Sequence, residues 1–154
     1  MSKTLWGGRF EDGLDPDAKA LSYSYHIDKR LGVYDVAVNK AYSKALVKAG
    51  IFSSSECDEV MACLDSLTPR FESDDPSLFD GDEDVHSCVE RHVTQMLGDL
   101  GKKLHTGKSR NDQVQTDSRL YLKSSLLIII DQLKTLLHVL WSLANTNRAL
   151  IIPG

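Results

Sequence analysis

The sequence predicts an all-α protein, with a small N-terminal helical domain over residues 1–110 and one long helix over residues 111–154. Three observations favour this fold class. Apolar residues recur at three- and four-residue steps along most of the 154-residue chain. Neither Gly nor Pro interrupts the stretch from Val114 to Ala144. Hydrophobic residues make up 42% and charged residues 26%, as in an ordinary globular protein.

Charge and cysteine content limit the possible partners and compartments. The formal net charge is -4 without a basic stripe, so we expect no nucleic-acid partner. Three cysteines without CxxC spacing favour a reducing cytoplasm over a disulfide framework or a zinc site. The first ten residues lack the apolar core of a signal peptide. The apolar run Leu126–Ile130 is shorter than a membrane span, and we predict a soluble, cytoplasmic protein.

The first elements are an irregular arm and a helix. Residues 1–27 have no clear periodicity, and we expect an extended arm with few apolar anchors and one short helical turn. Asp28 is a candidate cap for the next helix, and Gly50 is a natural end for it. The predicted apolar face of this helix comprises Leu31, Tyr34, Val38, Ala41, Tyr42, Ala45 and Leu46.

Two further helices complete the predicted N-terminal domain. Ser53 and Glu56 fit a capping box, which predicts a helix from there to about Pro69. Residues 69–82 are rich in Pro, Ser, Asp and Gly, as is typical of a loop. A third helix is predicted from Glu83 to Leu97, with Val85, Val89, Val93 and Leu97 on one side.

The long helix has an unusual distribution of apolar residues. Its second half, from Leu126 to Leu143, is apolar on nearly every side. Such a helix must be buried all round, and three shorter helices cannot easily cover it. We therefore expect other helices, or other subunits, to pack against it in a homo-oligomer.

A polar stretch precedes this helix, and we expect it to be a loop over residues 102–113. It contains Lys103, His105, Lys108, Arg110 and Asn111. An arginine can bind a carboxylate through two hydrogen bonds, an amide adds a donor, and a helix N-terminus adds a positive dipole end. These features suit a small carboxylate substrate, although polar residues that merely cap a helix give the same pattern.

Histidines and hydroxyls give weaker signals. His86 lies in the first turn of the third helix, where most histidines are surface residues. Ser24 lies in the irregular arm, where hydroxyls mostly form local turns. Histidine pairs with metal-ligand spacing are not apparent, and we predict neither a metal nor another cofactor.

Several stretches of the chain resemble the argininosuccinate lyases of the fumarase/aspartase superfamily, to which the delta-crystallins are related. One is Leu-Trp-Gly-Gly-Arg-Phe at residues 5–10, and another is Glu-Asp-Val-His at residues 83–86. The most specific is His-Thr-Gly-Lys-Ser-Arg-Asn-Asp-Gln at residues 105–113. There Lys108 replaces the usual Arg, which keeps the charge but loses the planar fork.

The resemblance implies reversible cleavage of argininosuccinate to arginine and fumarate. It implies that Arg110 and Asn111 bind the substrate, that Ser24 contacts it from the arm, and that Asp28 helps to orient its arginine portion. His86 is then an orienting residue near the substrate. The long helix becomes the first of a central bundle, in a protein expected to be a tetramer.

The resemblance also implies that the acid and the base of the reaction lie in family segments beyond Gly154. We therefore expect this chain to be an N-terminal part of the enzyme, inactive alone. Two alternatives stay open, namely a structural, crystallin-like protein of the same fold and another fumarate-producing enzyme such as adenylosuccinate lyase. The stretches at residues 5–10 and 109–113 favour argininosuccinate lyase over adenylosuccinate lyase.

Overall fold

The computed structural model describes residues 15–151 and residue 153. Every regular element in that part of the chain is helical, as predicted. The α-helices are α1 Pro16–Ser22, α2 Tyr25–Asp28, α3 Gly32–Lys48, α4 Ser54–Glu72, α5 Val85–Leu97, α6 Asp99–Lys103 and α7 Arg110–Thr146. Short 3-10 turns lie at Lys29–Leu31 and Pro76–Leu78. The compact units of the chain are Met1–Lys108 and Ser109–Gly154. Its division into domains at residues 110 and 111 stays a prediction.

The core of the first unit lies where α3, α4 and α5 pack together. It comprises apolar and cysteine side chains from all three helices, together with Phe52 and Leu78 from the connections between them and Leu104 after α6. The predicted apolar residues of α4 and α5 supply much of it, with Val60, Leu64 and Leu67 from α4 and Val85, Val89 and Val93 from α5. Leu78 is also buried, so the predicted loop over residues 69–82 is anchored to the core.

The apolar face predicted for α3 is largely wrong. Only Leu46 of that face is fully buried, whereas Ala41 and Ala45 are exposed. The buried side of α3 instead carries Gly32, Asp35, Val36, Asn39, Ser43 and Leu46. The Asn39 amide donates to the Asp35 carboxylate, and the Ser43 hydroxyl donates to the Asn39 backbone carbonyl. Because these polar side chains have hydrogen-bond partners, they can be buried where hydrophobic periodicity excludes them.

Both ends of α3 are informative. Gly50 ends it as predicted, with φ of 72°, and the N–H of Ile51 donates to the Leu46 carbonyl at 2.9 Å. These are features of a Schellman motif. Asp28, however, is not a cap for α3. Its carboxylate accepts hydrogen bonds from Ser24 and Val85 instead.

The N-terminus of α4 forms the predicted capping box. The Ser53 N–H donates to Glu56 Oε2 at 2.8 Å, and the Glu56 N–H donates to Ser53 Oγ at 3.1 Å. The predicted end at Pro69 is wrong, since α4 continues to Glu72. Proline removes one helical hydrogen bond. The added turn packs Phe71 against the core.

Part of the predicted arm lies outside the described residues, and the rest contains more helix than the one short turn predicted. Residues 15–27 contain α1 and most of α2. The ring of Tyr25 stacks on that of Phe79, with 4.8 Å between the ring centroids, and it packs against the core. Tyr25 is therefore an apolar anchor of the arm, for which few anchors were expected.

In the second unit, α7 runs from Arg110 to Thr146. It begins inside the loop predicted over residues 102–113, and it ends eight residues before the predicted end at residue 154. Large apolar side chains from Leu126 to Leu143 are each 45–65% exposed. By length and composition alone, α7 could also cross a membrane. The apolar run Leu126–Ile130, taken alone, is too short to predict a membrane-spanning helix.

Candidate functional site

His86 lies at the N-terminal end of α5. Asp84 caps this helix, and its carboxylate accepts a hydrogen bond from the Ser87 N–H at 2.6 Å. The cap places His86 in the first turn, and the side chain is only 3% exposed. The interpretation of His86 as an ordinary surface histidine is therefore wrong.

Asp35 holds the imidazole of His86. The distance from Asp35 Oδ1 to His86 Nδ1 is 3.0 Å, and Asp35 is fully buried. An ionised carboxylate can only accept hydrogen bonds, so this contact favours a proton on Nδ1.

Asn39 extends this contact along α3. Its Nδ2 donates to Asp35 Oδ2 and to the Asp35 carbonyl, both at 2.9 Å. Its Oδ1 accepts a hydrogen bond from Lys108 Nζ. Lys108 also lies over the ring of Tyr42, 4.9 Å from the centroid, and the Tyr42 hydroxyl donates to the Thr106 carbonyl at 2.6 Å. A continuous polar chain thus runs from His86 to Lys108.

Sequence reasoning missed Asp35 and Asn39, although a signal for them is present. Asp35, Asn39 and Ser43 recur every four residues and so lie on one face of a helix. The same face carries Val36 and Leu46, which are core residues. A polar row at helical spacing beside apolar residues could have indicated a buried polar network.

Ser24 lies at the same end of α5 as His86. Its N–H donates to the Glu83 carbonyl at 2.8 Å, and its hydroxyl donates to Asp28 Oδ2 at 2.6 Å. The other oxygen of Asp28 accepts a hydrogen bond from the Val85 N–H at 3.0 Å. Two candidate residues separated by a long stretch of sequence, Ser24 and His86, are therefore brought to one helix terminus.

Arg110 and Asn111 are the first two residues of α7, in the second unit. The expectation that they lie in a loop is wrong, because the helix begins at Arg110 after the N-cap residue Ser109. The first N–H groups of a helix have no carbonyl partner within it, and the helix dipole makes this end positive. A guanidinium, an amide and a helix N-terminus together suit a carboxylate ligand.

The cysteines do not have the properties of nucleophiles. Cys57, Cys63 and Cys88 are all buried. Burial, with a smaller contribution from the nearby Asp82 carboxylate, raises the pKa of the Cys88 thiol to about 12. Burial also raises the pKa of Cys63. A thiol that stays protonated is a poor nucleophile.

The described residues thus form a helical protein whose helix N-termini carry several hydrogen-bond donors. Its sequence matches a known protein family. The sequence model of the lyase family matches residues 8–154. The chain belongs to this family.

The similar proteins are named as argininosuccinate lyases. The probable argininosuccinate lyase of Schizosaccharomyces pombe is 41% identical over 154 residues, covering 99% of this chain and 34% of the relative. The argininosuccinate lyase of Thioalkalivibrio sulfidiphilus is 39% identical over 150 residues, covering 97% of this chain and 32% of the relative. That of Caldanaerobacter subterraneus is 41% identical over 150 residues, covering 97% and 34%. The chain spans about a third of the length of these relatives.

Proposed function

We propose that this chain is the N-terminal region of an argininosuccinate lyase, which cleaves argininosuccinate to arginine and fumarate by β-elimination in arginine biosynthesis. The observation that carries the proposal is the similarity, near 40% identity over almost the whole chain, to proteins of that name. The donor groups at the start of α7 support it, because argininosuccinate carries carboxylates.

In the proposed reaction, a base removes a proton from the carbon beside a carboxylate, and negative charge accumulates on that carboxylate. The C–N bond then breaks, and an acid protonates the leaving nitrogen. Arg110 and Asn111 bind the carboxylate, and preorganised donors of this kind stabilise the transition state most strongly. Ser24 and His86 contact and orient the substrate.

We assign substrate binding, rather than proton transfer, to the residues of this chain. The orienting role of His86 follows from the family resemblance, and the contact with Asp35 holds its imidazole inside the first unit. The acid and the base are proposed to come from the part of the enzyme that corresponds to the other two thirds of the relatives. The purified 154-residue chain alone is accordingly expected to produce no fumarate.

The exposed apolar part of α7 is proposed to be buried between subunits of a cytoplasmic homotetramer. Asp131 and Lys134 lie within this apolar stretch, with 3.3 Å between Asp131 Oδ1 and Lys134 Nζ. Charged groups are costly inside a bilayer, so a helical bundle suits this stretch better than a membrane.

A chimera tests the proposal. In this chimera, residues 1–154 replace the matching third of the Schizosaccharomyces pombe relative, and fumarate is measured by its ultraviolet absorbance. We expect fumarate from argininosuccinate and none from adenylosuccinate. A soluble, helical chimera that releases fumarate only from adenylosuccinate would favour the other lyase. One that cleaves neither substrate would favour a structural, crystallin-like protein.

A further inference from the structure

The polar chain from His86 to Lys108 has a defined hydrogen-bonding direction. Lys108 can only donate, and an ionised Asp35 can only accept. The Asn39 amide lies between them, so its oxygen must face Lys108 and its nitrogen must face Asp35, as observed. The Asp35 carboxylate then accepts at both oxygens, one bond coming from Asn39 and the other from His86. Each group fixes the orientation of the next.

Packing alone does not require these polar groups. Asp35 is fully buried, and Asn39 is 2% exposed, on a helix face that also carries Val36 and Leu46. Burying a carboxylate costs several kcal/mol, and well-packed apolar residues in its place are often equally stable or better. The arrangement is therefore better explained by what it does to His86, whose ring it orients.

We propose that Asp35, Asn39 and Lys108 are positioning residues that hold His86 in one tautomer and one ring orientation for substrate binding. The inference rests on the proposed function, since that function supplies the substrate that His86 contacts. A lysine can take the place of the usual family arginine at residue 108, because the Asn39 side-chain oxygen needs only one hydrogen-bond donor. Its contact with the Tyr42 ring holds the ammonium in place.

The tautomer can be measured without any activity assay. We expect ¹⁵N NMR of the 154-residue chain to find His86 with a proton on Nδ1. Asp35→Asn replaces an acceptor with an amide that can donate to Nδ1, so the proton should move to Nε2. Lys44→Met, at an exposed lysine on the same helix, is the matched control and should leave the His86 signals unchanged. His86 with its proton on Nε2 in the unsubstituted chain would overturn the proposal.

Kinetics of the chimera test whether this orientation matters to the reaction. We expect Lys108→Met and Asp35→Asn to lower kcat/KM by roughly ten- to a hundredfold, as small misplacements of substrate-contacting groups do. Lys108→Arg keeps a donor and should restore most of the activity, whereas Lys44→Met should have no effect.

The outcomes separate this inference from the proposed function. A chimera that makes no fumarate from argininosuccinate contradicts the proposed function, while the NMR result still decides how His86 is held. An active chimera whose kcat/KM is unaffected by Lys108→Met, with unchanged His86 signals in the chain carrying the same substitution, contradicts the inference alone. Lys108 is only half-buried, so we expect Lys108→Met to fold. The test can therefore be made even if the Asp35 variant does not fold.

Discussion

Asp35 Oδ1 lies 3.0 Å from His86 Nδ1, although 51 positions separate the two residues in the sequence. The contact joins α3 to α5 inside the first unit, and both side chains are buried. It connects a residue proposed to contact the substrate with the interior of the fold. Stability and site geometry therefore depend on the same pair.

Asp35→Ala should destabilise the chain. The substitution leaves His86 Nδ1 without this acceptor and removes one of the two acceptors of Asn39 Nδ2. A buried polar group that loses its partner costs about 1–3 kcal/mol. Urea unfolding followed by circular dichroism measures the change, and Asp58→Ala, at an exposed aspartate of α4, is the control. Equal unfolding midpoints for the two variants would contradict the role assigned to the buried pair.

The capping box of α4 gives a second prediction. Ser53→Ala removes the acceptor of the Glu56 N–H and should lower the free energy of unfolding by about 1 kcal/mol. Ser55→Ala changes an exposed serine in the first turn of the same helix and should have little effect. Thermal denaturation compares the two variants. A Tm loss for Ser55→Ala as large as that for Ser53→Ala would argue against the cap.

The Glu56 carboxylate makes stability depend on pH. Its hydrogen bond from Lys103, followed by those from Ser53, lowers the pKa of Glu56 from 4.5 to about 2. A carboxyl group with a lowered pKa contributes stability that is fully present above pH 4.5 and is lost as the pH falls towards 2. We expect Glu56→Gln to flatten the fall in Tm between these limits, relative to Glu59→Gln at an exposed position. Parallel Tm profiles for the two variants would contradict this assignment.

The apolar half of α7 should drive association. Burying a large aliphatic side chain fully is worth about 1.5–3 kcal/mol, and many such side chains are exposed there. Light scattering of the purified chain should therefore find an oligomer at micromolar concentration. Leu136→Glu combined with Leu140→Glu should lower the measured mass, whereas Lys123→Glu near the start of the apolar half should not. A monomer before any substitution would contradict the prediction.

Sequence reasoning predicted those parts of the fold that depend on local chemistry. The Ser53 cap, the Gly50 stop and the buried valines of α5 are each specified within a few residues. The end of α4 could not be predicted in this way, because the turn after Pro69 is stabilised by the packing of Phe71 against distant residues.

The candidate site was predicted only in part, for a similar reason. A family resemblance indicated Ser24, His86, Arg110 and Asn111 as substrate-binding residues, and those roles stay predictions. Hydrophobic periodicity assigned the wrong face of α3 to the core, because it treats polar residues as solvent-facing. Asp35 and Asn39 are buried because partners from distant segments satisfy them, and hydrophobic periodicity does not predict such partners.

The most direct test of the proposed role in argininosuccinate cleavage is kcat/KM for that substrate in the chimera carrying Arg110→Ala. Loss of a donor to the developing charge typically costs about 2.7–4 kcal/mol, or about a hundred- to a thousandfold in rate. Arg119→Ala, at an exposed arginine of the same helix, is the matched control. We expect kcat/KM to fall by at least about a hundredfold for Arg110→Ala, with circular dichroism unchanged, and to stay near normal for Arg119→Ala. Near-normal kcat/KM for Arg110→Ala would contradict the account.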